Sequence, residues 1–286
     1  MKSFVAILAI ASLMMVYPLV GMSASPVGYW TFNDENNPAK DDTGAGRDGR
    51  PSGPVLPIPS DAPVPNPGFA MSFVQEPGNA IIIDNSEGLH PNDMATLMAW
   101  VNADDAAPTQ FAAGIPYDDE PEWDNPWIGL QIGVRGGGMA NWIALDGRAP
   151  SPEGREGGGP DGDDADWEYN TADGTVLGGE WQHICLVIDG TDAITYINGE
   201  VVQPELGQGR GGKIAFNGNP LFIIGERSAH APGEPFGGLI DEVAIYHAAL
   251  SQDEVKDVMN NGADVSGTAV ESVGKLSTTW GRIKDR

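Results

Sequence analysis

A single cysteine, Cys185, among 286 residues excludes an intramolecular disulfide and leaves stability to the core. Cations are also scarce: 15 Lys and Arg stand against 41 Asp and Glu, for a net charge of -26. Such a chain is repelled by nucleic acid and by anionic membrane surfaces, and is compatible with divalent cations and neutral polymers. An acidic coat that only keeps an exported protein soluble would produce the same composition. After the first segment, no apolar run approaches the roughly 18 residues needed to cross a bilayer, so the chain is not expected to span a membrane.

Catalytic patterns are missing too. The four histidines, His90, His183, His230 and His247, show no H-E-x-x-H spacing, and no G-x-S-x-G elbow occurs. A retaining glycosidase needs two carboxyl groups about 5 to 5.5 Å apart, which an E-x-D-x-x-E strand can present. The chain has no such strand, and Glu120-Pro121-Glu122 sits among prolines and acids suited to a loop. These absences point away from an enzyme. The G-x-G-x-x-G matches at Gly44 and Gly207 open no helix of a βαβ unit, so neither indicates a dinucleotide site.

What is present begins with a segment of signal-peptide form over residues 1–24: Lys2, then a mostly apolar run from Phe4 to Val20, then Gly21, Ser23 and Ala24. The product is expected to be secreted or held at the cell surface. Residues 25–262 carry an even spread of short strand-like runs, favouring one β domain; 263–286 form a tail. Strands are expected at 27–32, 69–73, 80–83, 95–101, 180–188, 193–197, 200–202 and 220–225. Asn198-Gly199 is a strong hairpin signal, because a type I′ turn needs positive φ at both central residues. Ser251 and Glu254 form a capping box for one short helix that Gly262 ends. Cys185 falls in the most apolar strand and is expected to be a core thiol. Prolines crowd residues 51–68, an extended surface excursion. An acidic, glycine-rich insertion at about 102–170 is expected to be mostly long loops around strands near 127–134 and 141–145.

Two features suggest a hard cation. In the strand Gly237 to Tyr246, strict alternation puts Asp241 on one face with Leu239, Val243 and Ile245. An ionised carboxylate in apolar surroundings needs a cation or metal, unless it lies at a strand end in water. Separately, the loop Lys40 to Gly49 combines carboxylates with glycines that let the backbone turn its carbonyls toward them. For sugar recognition, ring faces exposed in loops are the expected devices. Trp123, Trp127, Trp142 and Trp167 lie in or beside the acidic insertion; the alternative for each is packing against the sandwich edge.

Four pieces stand in a familiar order: Tyr29-Trp30-Thr31-Phe32 with Asp41-Asp42-Thr43-Gly44-Ala45-Gly46; Met98-Ala99-Trp100-Val101; Trp181-Gln182-His183-Ile184 with Tyr196-Ile197-Asn198-Gly199; and Gly238-Leu239-Ile240-Asp241-Glu242-Val243-Ala244-Ile245-Tyr246. This set resembles the laminin G-like jelly-roll domains of the concanavalin A-like lectin/glucanase superfamily, over about residues 27 to 262. The resemblance implies an all-β, two-sheet antiparallel β-sandwich with one short C-terminal helix. It also implies a structural calcium bound through Asp41 and Asp241. Asp34, Asn33 or a carbonyl would supply the ligand after the first strand, with Asp48 a further candidate. The expected function is a secreted, non-catalytic module that binds carbohydrate. Its partner would be an extracellular or cell-surface glycan. The alternatives are an adhesion or scaffold module that binds a surface protein and, further behind, a glycoside hydrolase on the same fold.

Overall fold

The computed structural model describes residues 24–266 apart from 66, 117–128, 146–164, 172–173, 191, 203–212, 217 and 230–232. The chain runs through β1 (Gly28–Trp30), β2 (Arg50–Ser52), β3 (Leu56–Pro59), β4 (Phe69–Phe73), β5 (Ala80–Ile83), β6 (Met94–Ala103), β7 (Gln110–Ile115) and β8 (Leu130–Arg135). It continues through β9 (Gly138–Leu145), β10 (Ala165–Asn170), β11 (Gln182–Asp189), β12 (Ala193–Ile197), β13 (Glu200–Val201), β14 (Phe222–Ile224) and β15 (Gly238–Tyr246) to helix α1 (Gln252–Asn261). Sheet A has the order β13-β12-β11-β6-β15-β4-β3, with β1 also paired to β15, and sheet B has the order β10-β9-β8-β7-β14-β5-β2. This is the expected antiparallel two-sheet sandwich with one short helix.

Alternation along the strands builds the core between the sheets. Leu97, Ala99 and Val101 of β6 and Ile184, Leu186 and Ile188 of β11 meet Ile81, Ile132, Phe222 and Ile224 from sheet B. Trp30 stacks on Phe222 with ring centroids 5.0 Å apart. A second apolar layer covers the outer side of sheet A, where Met98, Cys185, Tyr196 and Tyr246 pack with Leu250 and with Val255 of α1. Cys185 is thus a core thiol, and burial pushes its proton affinity up. The capping box is formed: Ser251 accepts from the Glu254 amide, and the Glu254 carboxylate accepts from the Ser251 amide at 2.8 Å. The β12–β13 hairpin turns at Asn198 and Gly199, with φ of 52° and 74°. Among the described residues no helix is long and apolar enough to cross a membrane.

Three expectations change. The acidic insertion holds two strands beyond the expected pair near 127–134 and 141–145, because β7 and β10 join β8 and β9 in sheet B. β7 is Gln-Phe-Ala-Ala-Gly-Ile and β10 is Ala-Asp-Trp-Glu-Tyr-Asn; small and acidic residues have weak strand preference, and sheet context overrides it. The proline-rich excursion forms β2 and β3 at the outer edges of the two sheets, where a missing N–H costs no ladder bond. Finally, β15 does not alternate strictly: its pairing with β6 shifts register between Asp241 and Ala244, and Glu242 takes φ of 51°. This bulge puts Ile240, Val243 and Ile245 into the core together. Asp241 therefore lies not among Val243 and Ile245 but on the outer side of sheet A, opposite Trp100.

Candidate ligand-binding face and acidic loop

Asp41 organises the loop between β1 and β2 through donors on the chain itself. Its carboxylate accepts from the backbone N–H of Tyr29 at 3.3 Å, of Thr43 at 3.0 Å and of Arg47 at 3.2 Å, and from Thr43 Oγ1 at 2.7 Å. The same loop caps its other acids. Asp48 accepts from the Asp41 amide at 2.9 Å and from Asn37 Nδ2 at 2.7 Å. Asp34 accepts from the amides of Asn36 and Asn37, which together with Lys40 hold its carboxyl below the usual range. Asn33 Oδ1 accepts from the Phe69 amide at 2.7 Å.

Asp241 is fully buried, and its partner is a hydroxyl. Ser60, in the loop that leaves β3, donates to Oδ2 at 2.7 Å, and the Glu242 amide donates to Oδ1 at 2.8 Å. Burial, and secondarily the charge of Glu242, push the Asp241 carboxyl up to about 8, so it is largely neutral at pH 7. Glu242 accepts from the Tyr29 hydroxyl, and burial followed by the charge of Asp42 pushes it up to about 7. Beside Asp241, Trp100 meets His183 edge to face at 5.5 Å, and burial lowers His183 to about 3, consistent with a structural histidine. Trp181 is half-buried and donates to Asp61 at 2.6 Å.

These residues do not fit the implied calcium. The ion takes about six to eight oxygens. A carboxylate offers about four lone-pair positions, and four groups already donate to Asp41. Asp41 and Asp241 share no donor, Asp34 and Asp48 are capped as described, and among the described residues no group of three or more His, Cys, Asp or Glu converges to hold a metal.

The second region is the outer face of sheet B. Ile115 pairs with Leu130, Leu130 with Ile143, and Leu145 with Ala165, so the β7–β8 and β9–β10 connections leave the same end of the sheet side by side. Trp123 and Trp127 belong to the first of these connections and lie outside the described residues. Trp142 stands near that end on β9, and Trp167 on β10 is in register with Ile143. The Trp142 ring is 2% exposed and stacks on Phe111 with centroids 4.1 Å apart. On β8, Gln131 pairs with Trp142 on one side and Gly114 on the other. Its Nε2 donates to the Arg227 carbonyl at 2.8 Å. The adjoining Glu226 is 1% exposed and accepts from the Gly78 amide at 2.8 Å. Burial pushes Glu226 up to about 7, partly offset by the Gly78 and Gly233 amides and by Arg227. Sequence reasoning missed Gln131, Glu226 and Arg227. The available signal was an acid directly following the apolar run Leu221 to Gly225.

The family model for the concanavalin A-like lectin/glucanases superfamily, Laminin_G_3, matches residues 76–256. Comparison with curated protein sequences gives no match. Among solved structures, domain 4 of AbnA, a GH43 extracellular arabinanase from Geobacillus stearothermophilus in complex with arabinotriose, is 19% identical. Its TM-score is 0.56 over 83% of this chain and 100% of that one. The binding domain of Paraclostridial Mosquitocidal Protein 1 is 16% identical, with a TM-score of 0.57 over 82% of this chain and 52% of that one. The botulinum neurotoxin serotype D ligand-binding domain in complex with N-acetylneuraminic acid is 13% identical, with a TM-score of 0.52 over 82% and 50%. The chain thus spans the whole arabinanase domain and half of the neurotoxin ligand-binding domain, and at these identities the likeness carries the fold.

Proposed function

We propose that this chain, which belongs to the concanavalin A-like lectin/glucanases superfamily, is a secreted, non-catalytic module that recognises carbohydrate at the β7–β10 end of sheet B. One observation carries this reading: the strand ends joined by two acidic connections lie side by side there, Ile115 and Leu130 for the one whose sequence bears Trp123 and Trp127, Leu145 and Ala165 for the other. Sugar C–H faces stack on indole rings, and sugar hydroxyls bond to carboxylates and amides, so that composition at one end of a rigid sheet suits a saccharide. The Phe111–Trp142 stack is a foundation rather than a contact surface, because Trp142 is 2% exposed. The solved structures with arabinotriose and with N-acetylneuraminic acid support the reading by analogy of fold. The test is a glycan array probed with the purified chain and with the Trp123→Ala, Trp127→Ala double variant. Binding that the double variant loses supports the reading. Silence across neutral and acidic glycans would remove it and favour a protein partner.

A further inference from the structure

His90 and Phe216 form a stacked pair, with ring centroids 5.0 Å apart and planes at 27°. Both residues are half-buried: Phe216 packs against the core between the sheets yet keeps part of its surface in water. Two connections supply the pair, one following β5 and the other preceding β14, and hydrogen bonds tie them together. The Pro220 carbonyl accepts from Ser86 Oγ at 2.8 Å and from His90 Nε2 at 2.8 Å, and the Ile214 amide donates to the Asn92 carbonyl at 2.5 Å. A carbonyl only accepts, so the His90 proton sits on Nε2 and Nδ1 is left as an acceptor. Burial lowers the affinity of His90 for a second proton, which keeps the ring neutral near pH 7. Strand register places the pair at the proposed site. Phe222 pairs with Ile83 and Ile223 with Gly114, so both segments meet sheet B at the end where Ile115 and Leu130 stand. β14 is the immediate neighbour of β7, about 4.8 Å away. The segment carrying Phe216 therefore enters the sheet one strand from the connection whose sequence bears Trp123 and Trp127.

We propose that the His90–Phe216 pair is a stacking subsite for one ring of a neutral oligosaccharide. This rests on the carbohydrate reading above and extends the same site from β7 to β14 and β5. The exposed part of Phe216 offers sugar C–H groups an apolar face, and His90 Nδ1 accepts from a hydroxyl beside it. On the same two connections, exposed Asn92 and Asn219 bring amides that both donate and accept. Exposed Glu87 and Asp93 on the His90 connection, together with the net charge of -26, disfavour an anionic sugar. Because the stack is already held by the Pro220 carbonyl and by the core, little side-chain freedom remains to be lost on binding.

The experiment titrates the full chain with neutral and sialylated oligosaccharides, using wild type, Phe216→Leu, Phe216→Tyr and the Trp123→Ala, Trp127→Ala double variant. Leucine keeps an apolar cover for the core and removes the ring face, whereas tyrosine keeps both. Phe216→Leu should lower apparent affinity for the neutral oligosaccharides about tenfold, and Phe216→Tyr should stay near wild type. In wild type, proton NMR of the four histidines should show the His90 ring signals shifting during the titration while those of buried His183 stay in place. That measurement decides the matter if Phe216→Leu does not fold. Neutral oligosaccharides bound equally by wild type and folded Phe216→Leu, or bound with the His90 signals unmoved, would overturn the subsite and leave the pair as packing for its two connections. Wild type that binds only sialylated oligosaccharides would overturn it as well. Wild type that binds no oligosaccharide at all would instead overturn the carbohydrate reading on which it rests.

Discussion

Replacing Asp41 with Asn separates a hydrogen-bonded loop from a metal site. Asn keeps one acceptor oxygen and puts an NH2 donor where the other stood. If Oδ1 is kept, Tyr29 and Thr43 retain an acceptor, while the Arg47 amide, 3.2 Å from Oδ2, is left facing a donor. One orphaned, part-buried N–H costs about 1–3 kcal/mol, and loss of charge on the remaining bonds adds about 1 kcal/mol. The expected loss is about 2–4 kcal/mol, or roughly 5–15 °C in melting temperature for a domain of this size. Urea unfolding in calcium and in chelator is the assay. The donors come from the chain itself, so the variant should lose the same amount in both conditions, and wild type should unfold alike in both. A native-state metal site at a hundredfold excess over its Kd would instead add about 2.7 kcal/mol to wild type in calcium. If that gain appears and Asp41→Asn abolishes it without weakening the chelated protein, the hydrogen-bonded account of the loop is wrong.

Stability should fall as pH rises. Burial raises Glu226 from its ordinary 4.5 to about 7, Glu242 from 4.5 to about 7 and Asp241 from 3.8 to about 8. A carboxyl raised in the folded state contributes fully below its unfolded value and loses that contribution as pH climbs through the folded one. Melting temperature should therefore drop across roughly pH 5 to 8, and Glu226→Gln should remove on the order of 2 kcal/mol of that dependence. An identical slope in the variant would contradict the burial of Glu226. Gly114→Ala should destabilise by about 3 kcal/mol, because its Cβ would stand 2.2 Å from the Leu130 carbonyl and its φ is +149°. Unchanged denaturation would show that β7 and β8 can separate without cost.

Much of the fold was legible because local signals agreed with the global one. Asn198-Gly199 dictates its hairpin, Ser251 and Glu254 cap their helix, and the unbroken apolar run in β11 has nowhere to go but the core. β7 and β10 were hidden because alanine, glycine and acids give no strand pattern until neighbouring strands supply their hydrogen bonds. The bulge at Glu242 was hidden for a different reason: it inserts one residue, and the chain gives no glycine there to mark a positive φ. That residue moved Asp241 away from the core and to Ser60, a partner about 180 residues distant in sequence that no local pattern can name. The tryptophans of the acidic insertion were legible as aromatic residues. That the strand ends flanking its two long connections lie together at one end of sheet B emerged only from strand order.

The most direct test of the central claim is the glycan array with wild type and the Trp123→Ala, Trp127→Ala double variant at matched folding. Selective binding of oligosaccharides by wild type, lost in the double variant while melting is unchanged, is the predicted result. No glycan bound by wild type, or binding that survives loss of both tryptophans, would contradict carbohydrate recognition at the β7–β10 end.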